Sequence, residues 1–103
     1  MSNGDWRGLK KILEEILGSK EVYYQPPPNI RMKYPAIVFE REDIQNTFAD
    51  NLVYTQATSY KVTVMDKNPD SEIVKRVSRI PTSRYVQFFV TDNLNHDIFI
   101  IFY

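Results

Sequence analysis

Residues 59–80 read SYKVTVMDKNPDSEIVKRVSRI, and this stretch decides the fold. Its first part alternates, with Tyr60, Val62 and Val64 on one side and Lys61, Thr63 and Met65 on the other. Apolar residues at a period of two specify a half-buried strand whose core face is Tyr60, Val62 and Val64. Asn68-Pro69-Asp70-Ser71 then breaks the pattern. Asp70 or Ser71 can cap a helix, and Glu72 puts a carboxylate in the first turn, where the helix dipole favours it. Ile73, Val77 and Ile80 follow at helical spacing and make one apolar stripe. The unit is a strand, a tight turn and a short helix, and the rest of the chain must pack on it.

Upstream, Asp5 to Leu17 reads as a first helix. Asn3 or Asp5 serves as N-cap, and Gly18 stands where a helix-ending left-handed residue is wanted. Trp6, Leu9, Ile12, Leu13, Ile16 and Leu17 form its apolar face, opposite Lys10, Lys11, Glu14 and Glu15. Glu21 to Gln25 reads as a short strand, ended by Pro26-Pro27-Pro28, which fixes an extended path without amide donors. Pro35 opens the next strand, Ala36 to Thr47, with Ile37 and Phe39 on one side and Val38 and Glu40 on the other. Phe48-Ala49-Asp50-Asn51 reads as a loop tip, and Leu52 to Gln56 as a returning strand that Ala57-Thr58 joins to Tyr60. The far half of this hairpin turns polar and is expected to project beyond the core. Glu40, Glu42, Asp43 and Asp50 stand there against a single Arg41, a charged contact surface or a solvated face.

Downstream, Pro81 forces a break. Tyr85 to Val90 reads as a strand, Asp92-Asn93-Leu94-Asn95 as a turn, and His96 to Tyr103 as the closing strand. On the closing strand Ile98, Ile100 and Phe102 face one way, and Phe99, Ile101 and Tyr103 the other. Both faces are apolar, so the strand is either central in the sheet or covered by another chain. The chain therefore reads as one α+β domain, residues 1–103. The expected architecture is a mostly antiparallel sheet with two helices packed on it, in the order α-β-β-β-β-α-β-β, with a long projecting β-hairpin.

The 13 basic and 13 acidic residues balance. A dedicated nucleic-acid binder usually carries a basic excess, whereas zero net charge tolerates self-association. The seven Tyr, six Phe and one Trp are more aromatics than so small a core readily hides, which favours interfaces. No cysteine is present, so no disulfide or thiolate chemistry is expected. MSNGDWRGLKK has no apolar h-region and no run approaches a membrane span, so a soluble domain of intracellular type with no membrane partner is expected.

The chemistry of the side chains points away from catalysis. The one histidine, His96, sits beside a turn and next to Asp97, without a nucleophile or a paired base. The glycines Gly4, Gly8 and Gly18 make no phosphate loop, and the turn Asp66-Lys67-Asn68-Pro69-Asp70 lacks the glycine and distal glutamate of a calcium loop. No enzymatic activity, cofactor or metal is expected. Lys75, Arg76 and Arg79, followed by Arg84, form a basic stripe that could touch phosphates or simply face solvent.

Three pieces taken together carry a family resemblance: KYPAIVFERED (Lys33 to Asp43), SYKVTVMDKNPDSEI (Ser59 to Ile73) and TDNLNHDIFIIFY (Thr91 to Tyr103). Tyr34-Pro35, the run Tyr60-x-Val62-x-Val64-x-Asp66-x-x-Pro69-Asp70-Ser71, and Asp92-Asn93-Leu94-Asn95-His96 stand in the order and spacing of this family. The chain resembles the tail-terminator, or tail-completion, proteins of long-tailed bacteriophages over roughly Lys33 to Tyr103. The resemblance implies a structural virion protein, made in the host cytoplasm and resident in the tail or neck. Such proteins form a ring, commonly a hexamer, at the head-proximal end of the tail tube. The ring ends tube polymerisation and docks neck or head-completion proteins, and DNA passes through its lumen without sequence-specific contact. On that reading Arg41, Glu42, Asp43, Phe48, Asp50, Tyr54, Phe99 and Tyr103 are candidates for contacts with a neighbouring subunit or the tail tube protein. Glu40, Asp43 and Asp50 are candidates for lumen charge. The alternatives are another neck component, such as a head-closure or connector protein, and a small nucleic-acid-binding α+β domain using Lys75, Arg76 and Arg79.

Overall fold

A computed structural model describes residues 5–49 and 52–103, with the backbone alone described within 44–57. Two helices, α1 (Trp6–Leu17) and α2 (Glu72–Ser78), pack on a five-stranded sheet. The strands are β1 (Val22–Tyr24), β2 (Ala36–Ala49), β3 (Leu52–Asp66), β4 (Ser83–Thr91) and β5 (Leu94–Phe102), in the spatial order β1-β2-β3-β5-β4. Only β1 runs parallel to its neighbour; every other pairing is antiparallel. The α+β class, the mostly antiparallel sheet and the projecting hairpin are as the sequence reading has them. The two returning segments expected at Leu52–Gln56 and from Ser59 onward run through Ala57-Thr58 as the single strand β3.

The caps are local chemistry. Asp5 caps α1, its carboxylate accepting from the Arg7 amide at 2.9 Å, and Gly18 ends the helix at φ 80°. Ser71 caps α2, its hydroxyl accepting from the Ile73 and Val74 amides at 3.2 and 3.4 Å. The turn between β3 and α2 is an asparagine–aspartate relay. Asn68 donates its amide to Asp66, Asp70 donates its amide to Asn68, and the Asn95 side chain ties in by donating to the Asp66 and Lys67 carbonyls. The motif residues at 66–71 and 95 thus meet in one knot that holds α2 against the sheet. A further tie comes from Arg76, which donates to the Ile16 carbonyl at the end of α1.

Both helices lie on one face of the sheet. The core there is Leu9, Leu13 and Leu17 of α1, Ile73 and Val77 of α2, and Val22, Ile37, Phe39, Tyr60, Val62, Val64, Phe99 and Ile101 of the strands. An aromatic run threads its open end. Trp6 stacks on Tyr24 at 4.5 Å between centroids, Tyr24 meets Phe39 at 4.9 Å, and Phe39 meets Tyr60 at 5.9 Å. Alternation along β3 decides which residues enter this core, as the period of two requires.

The closing strand β5 lies between β3 and β4. Of the two explanations for its doubly apolar sequence, central placement is the one realised. Phe99 and Ile101 face the helices, and Ile98 and Ile100 are buried on the other face by their strand neighbours.

Candidate interaction surface

The first feature that reaches outside the core is the ribbon. β1 pairs with β2 only as far as Tyr24 opposite Phe39, and β5 pairs with β3 only as far as Phe102 opposite Ser59. From Ile44 opposite Thr58 to Ala49 opposite Leu52, β2 and β3 pair with each other and, among the described residues, with no third strand. At about 3.4 Å per residue this ribbon reaches about 20 Å beyond the sheet. It accounts for much of the molecule's 52 Å length against a 24 × 23 Å section. A bulge between Arg41 and Asp43 sits at its root. Bulges bend the strand and re-aim side chains. Here the extra residue puts Asp43 opposite Ser59, on the face shared with Lys61 rather than the face of Phe39.

The sequence-predicted contact residues divide accordingly. Glu40, Arg41, Glu42 and Asp43 are exposed at the ribbon root. Phe48 and Tyr54 are placed on the ribbon strands by backbone only, their side chains lying outside the described residues, as does Asp50 entirely. One expectation needs correction. Phe99 is fully buried in the chain's own core, edge-to-face against Tyr85 at 5.2 Å, and is not a contact residue. Tyr103 is half-buried, its ring lying over Gly8 of α1 and packed on the core, with the rest of the side chain facing outward.

The second feature, which the sequence reading did not single out, is β4. This strand is the outer edge of the sheet, and it is exposed along almost its whole length. Tyr85, Val86, Phe88, Phe89 and Val90 are between 41 and 55 % exposed. The register sets Tyr85 opposite Phe99 on the helix side and Phe89 opposite His96 on the other, so apolar side chains emerge on both faces of an edge strand. Large apolar patches on a single chain mark contact sites, and proteins ordinarily blunt such edges with charges or proline. The signal was present in SRYVQFFVT, whose register puts Tyr85, Phe88 and Val90 on one face and Phe89 on the other. Nothing in the sequence says which of the two strands lies at the edge.

The third feature is a groove of about 730 Å³ on the helix-free face. Val38, Thr63, Met65 and Ile98 floor it, the loop 26–32 forms one wall, and Phe89 stands in the other. The proline loop is held by Glu21, whose carboxylate accepts from the Tyr23 hydroxyl at 2.6 Å and from the Lys33 amide at 2.9 Å. Those two bonds, the Tyr23 one first, hold the Glu21 carboxyl below its ordinary range. His96 stacks on Phe89 at 4.5 Å and places Nδ1 3.1 Å from the Leu94 carbonyl, a contact that needs the proton on Nδ1. These two contacts fix the ring of His96, the third residue of β5, at the edge of the groove. Tyr85 donates its hydroxyl to Asp97 at 2.8 Å, and burial, reinforced by that bond, pushes its phenol up to about 12.

The basic stripe is partly spoken for. The Lys75 ammonium lies 3.2 Å from Asp70 and 3.4 Å from Glu72, and Arg76 is engaged with Ile16. Arg79 and Arg84 make no ion pair among the described residues. Among those residues no three of His, Cys, Asp and Glu converge into a group that could hold a metal ion, and no helix is long and apolar enough to cross a membrane.

Comparison with protein-family models and with curated proteins finds no match to this chain.

Proposed function

We propose that this chain is a structural subunit of a long-tailed bacteriophage. It assembles with copies of itself into a ring, a hexamer, at the head-proximal end of the tail tube, where it ends tube growth and joins the tail to the neck. The observation that carries this reading is the two-stranded ribbon. An arm of about 20 Å whose backbone pairs with no third strand among the described residues leaves open edges on both sides, which suits it to contact another molecule. The open apolar edge β4 supports the same conclusion, as does the resemblance carried by Tyr34-Pro35, the Tyr60 to Ser71 run and Asp92 to His96. In this reading the acidic residues Glu40, Asp43 and Asp50 near the ribbon repel the DNA passing through the lumen, and the tail tube protein and a neck or head-completion protein are the two further partners.

The test has two arms. Mass in solution is measured for the chain alone and with tail tube protein; six copies of a 12.2 kDa chain give about 73 kDa. Negative-stain images are then taken of the protein mixed with tails or with filled heads. Rings seated on tail ends are the expected result. Binding to filled heads before tails would move the chain to the head-closure class. In infection, Asp43→Lys with Asp50→Lys should leave the monomer folded and lower the yield of joined particles; an unchanged yield would count against the ribbon as the contact.

A further inference from the structure

We propose that the edge formed by α2 and β4 is the acceptor for the acidic β2–β3 ribbon of a second copy of this chain. The inference rests on the self-assembly half of the function proposed above and not on its phage half.

Backbone, apolar surface and charge each support it. β4 offers an open edge of nine residues, bulged between Tyr85 and Gln87, and from Tyr85 to Val90 it holds no proline and no charge, two of the devices that ordinarily protect an edge. An added strand would satisfy its unpaired amides and carbonyls and cover Phe88 and Val90 on one face and Phe89 on the other. The ribbon has the matching need: its strands carry open edges over the segment where neither β1 nor β5 accompanies them.

Charge selects the ribbon over other occupants. The α2–β4 edge, residues 72–91, holds Lys75, Arg76, Arg79 and Arg84 against Glu72, which pairs with Lys75, and Arg79 and Arg84 make no ion pair among the described residues. Residues 36–61 hold Glu40, Glu42, Asp43 and Asp50 against Arg41 and Lys61, the latter opposite Glu40 in the register. Pairing β4 with a second β4 would bring two basic edges together, whereas pairing it with the ribbon brings opposite signs together. Within one chain β5 lies between the ribbon strand β3 and β4, so the contact must join different copies. Each copy then gives one ribbon and offers one edge. That is a heterologous contact, the type that generates a closed ring when its rotation closes.

The absence of cysteine makes the test direct. Val90→Cys places a thiol on β4 and Thr47→Cys places one on the ribbon. The two single-cysteine chains are mixed, with tail tube protein present if assembly requires it, and treated with a short bis-maleimide. The expected result is cross-linked dimer in the mixture and little with either chain alone. In parallel, Arg79→Glu with Arg84→Glu should weaken self-association by about tenfold or more. Mixing that chain with the Asp43→Lys, Asp50→Lys chain should restore joint assembly. Cross-linking by Val90→Cys alone would overturn the proposal in favour of an edge-to-edge dimer. Normal assembly without the mixed cross-link would overturn the acceptor assignment and leave the ring standing. A chain that stays monomeric alone and with tail tubes would overturn both. Assembly unchanged in Arg79→Glu, Arg84→Glu while DNA affinity falls would assign the basic edge to nucleic acid instead.

Discussion

Gly8→Ala tests how the C-terminus seals the domain. Gly8 lies in the first turn of α1, where glycine is less favourable than alanine by about 0.5–1 kcal/mol. On an isolated helix the substitution would stabilise. Here a Cβ at Gly8 meets the Tyr103 hydroxyl oxygen at 2.5 Å and the ring at 3.2 Å. Carbon contacts settle near 3.5 Å or beyond, so the ring must retreat by about 1 Å. Tyr103 is half-buried on the core, and its backbone amide is tied to the Thr58 carbonyl at 3.0 Å, which limits the retreat. Burying half of such a ring is worth about 1–1.5 kcal/mol, and most of that is at risk. The net expectation is a loss of about 0.5 kcal/mol for Gly8→Ala. In a Tyr103→Ala background the clash is gone and the same change should stabilise by about 0.5–1 kcal/mol. Tyr103→Phe, which removes only the nearest atom, should fall between. Urea midpoints at constant slope and fixed protein concentration provide the measurement. Effects of Gly8→Ala that are equal in both backgrounds, within about 0.5 kcal/mol, would refute the packing of Tyr103 over Gly8.

Phe39→Ala removes the ring that links Tyr24 to Tyr60 at full burial and should cost about 3–5 kcal/mol, read as a large drop in thermal midpoint. Ser71→Ala deletes the α2 cap and should cost about 1 kcal/mol, whereas Ser71→Asp should retain most of it; urea denaturation separates the two. Tyr85 has a phenol raised from 10.0 to about 12 in the folded chain, so its contribution is full below pH 10 and is lost as pH climbs toward 12. Tyr85→Phe should therefore flatten the alkaline loss of stability over that window, and an unchanged slope of urea midpoint against pH would remove Tyr85 from the account.

Much of the fold was legible because period and punctuation agree. The Tyr60 to Val64 alternation, the Ser71 cap and the Ile73 and Val77 stripe each depend on neighbours in the chain, and the structure builds them where the spacing puts them. Phe99 was misassigned for a definite reason. Alternation separates Phe99 and Ile101 from Ile98 and Ile100 but does not say which pair the helices will cover. The two apolar strands at the end of the chain were likewise indistinguishable as centre and edge, because that difference lies in which strand pairs with β3.

The sequence by itself determined the two helices and the strand-forming stretches, narrowed each N-cap to two nearby candidates, and set the acidity of the ribbon and the basic run from 75 to 84. These follow from short-range hydrogen bonding and from residue charge, which do not depend on what is packed nearby. Only the tertiary structure decided which apolar strand is interior. By setting β5 between β3 and β4 it buried Ile98 and Phe99, left Phe88 and Val90 in the open, and put the basic α2–β4 edge and the acidic ribbon on separate parts of one chain. Burial is a property of the neighbours a strand acquires, and strand order is set by long-range pairing that no local pattern records.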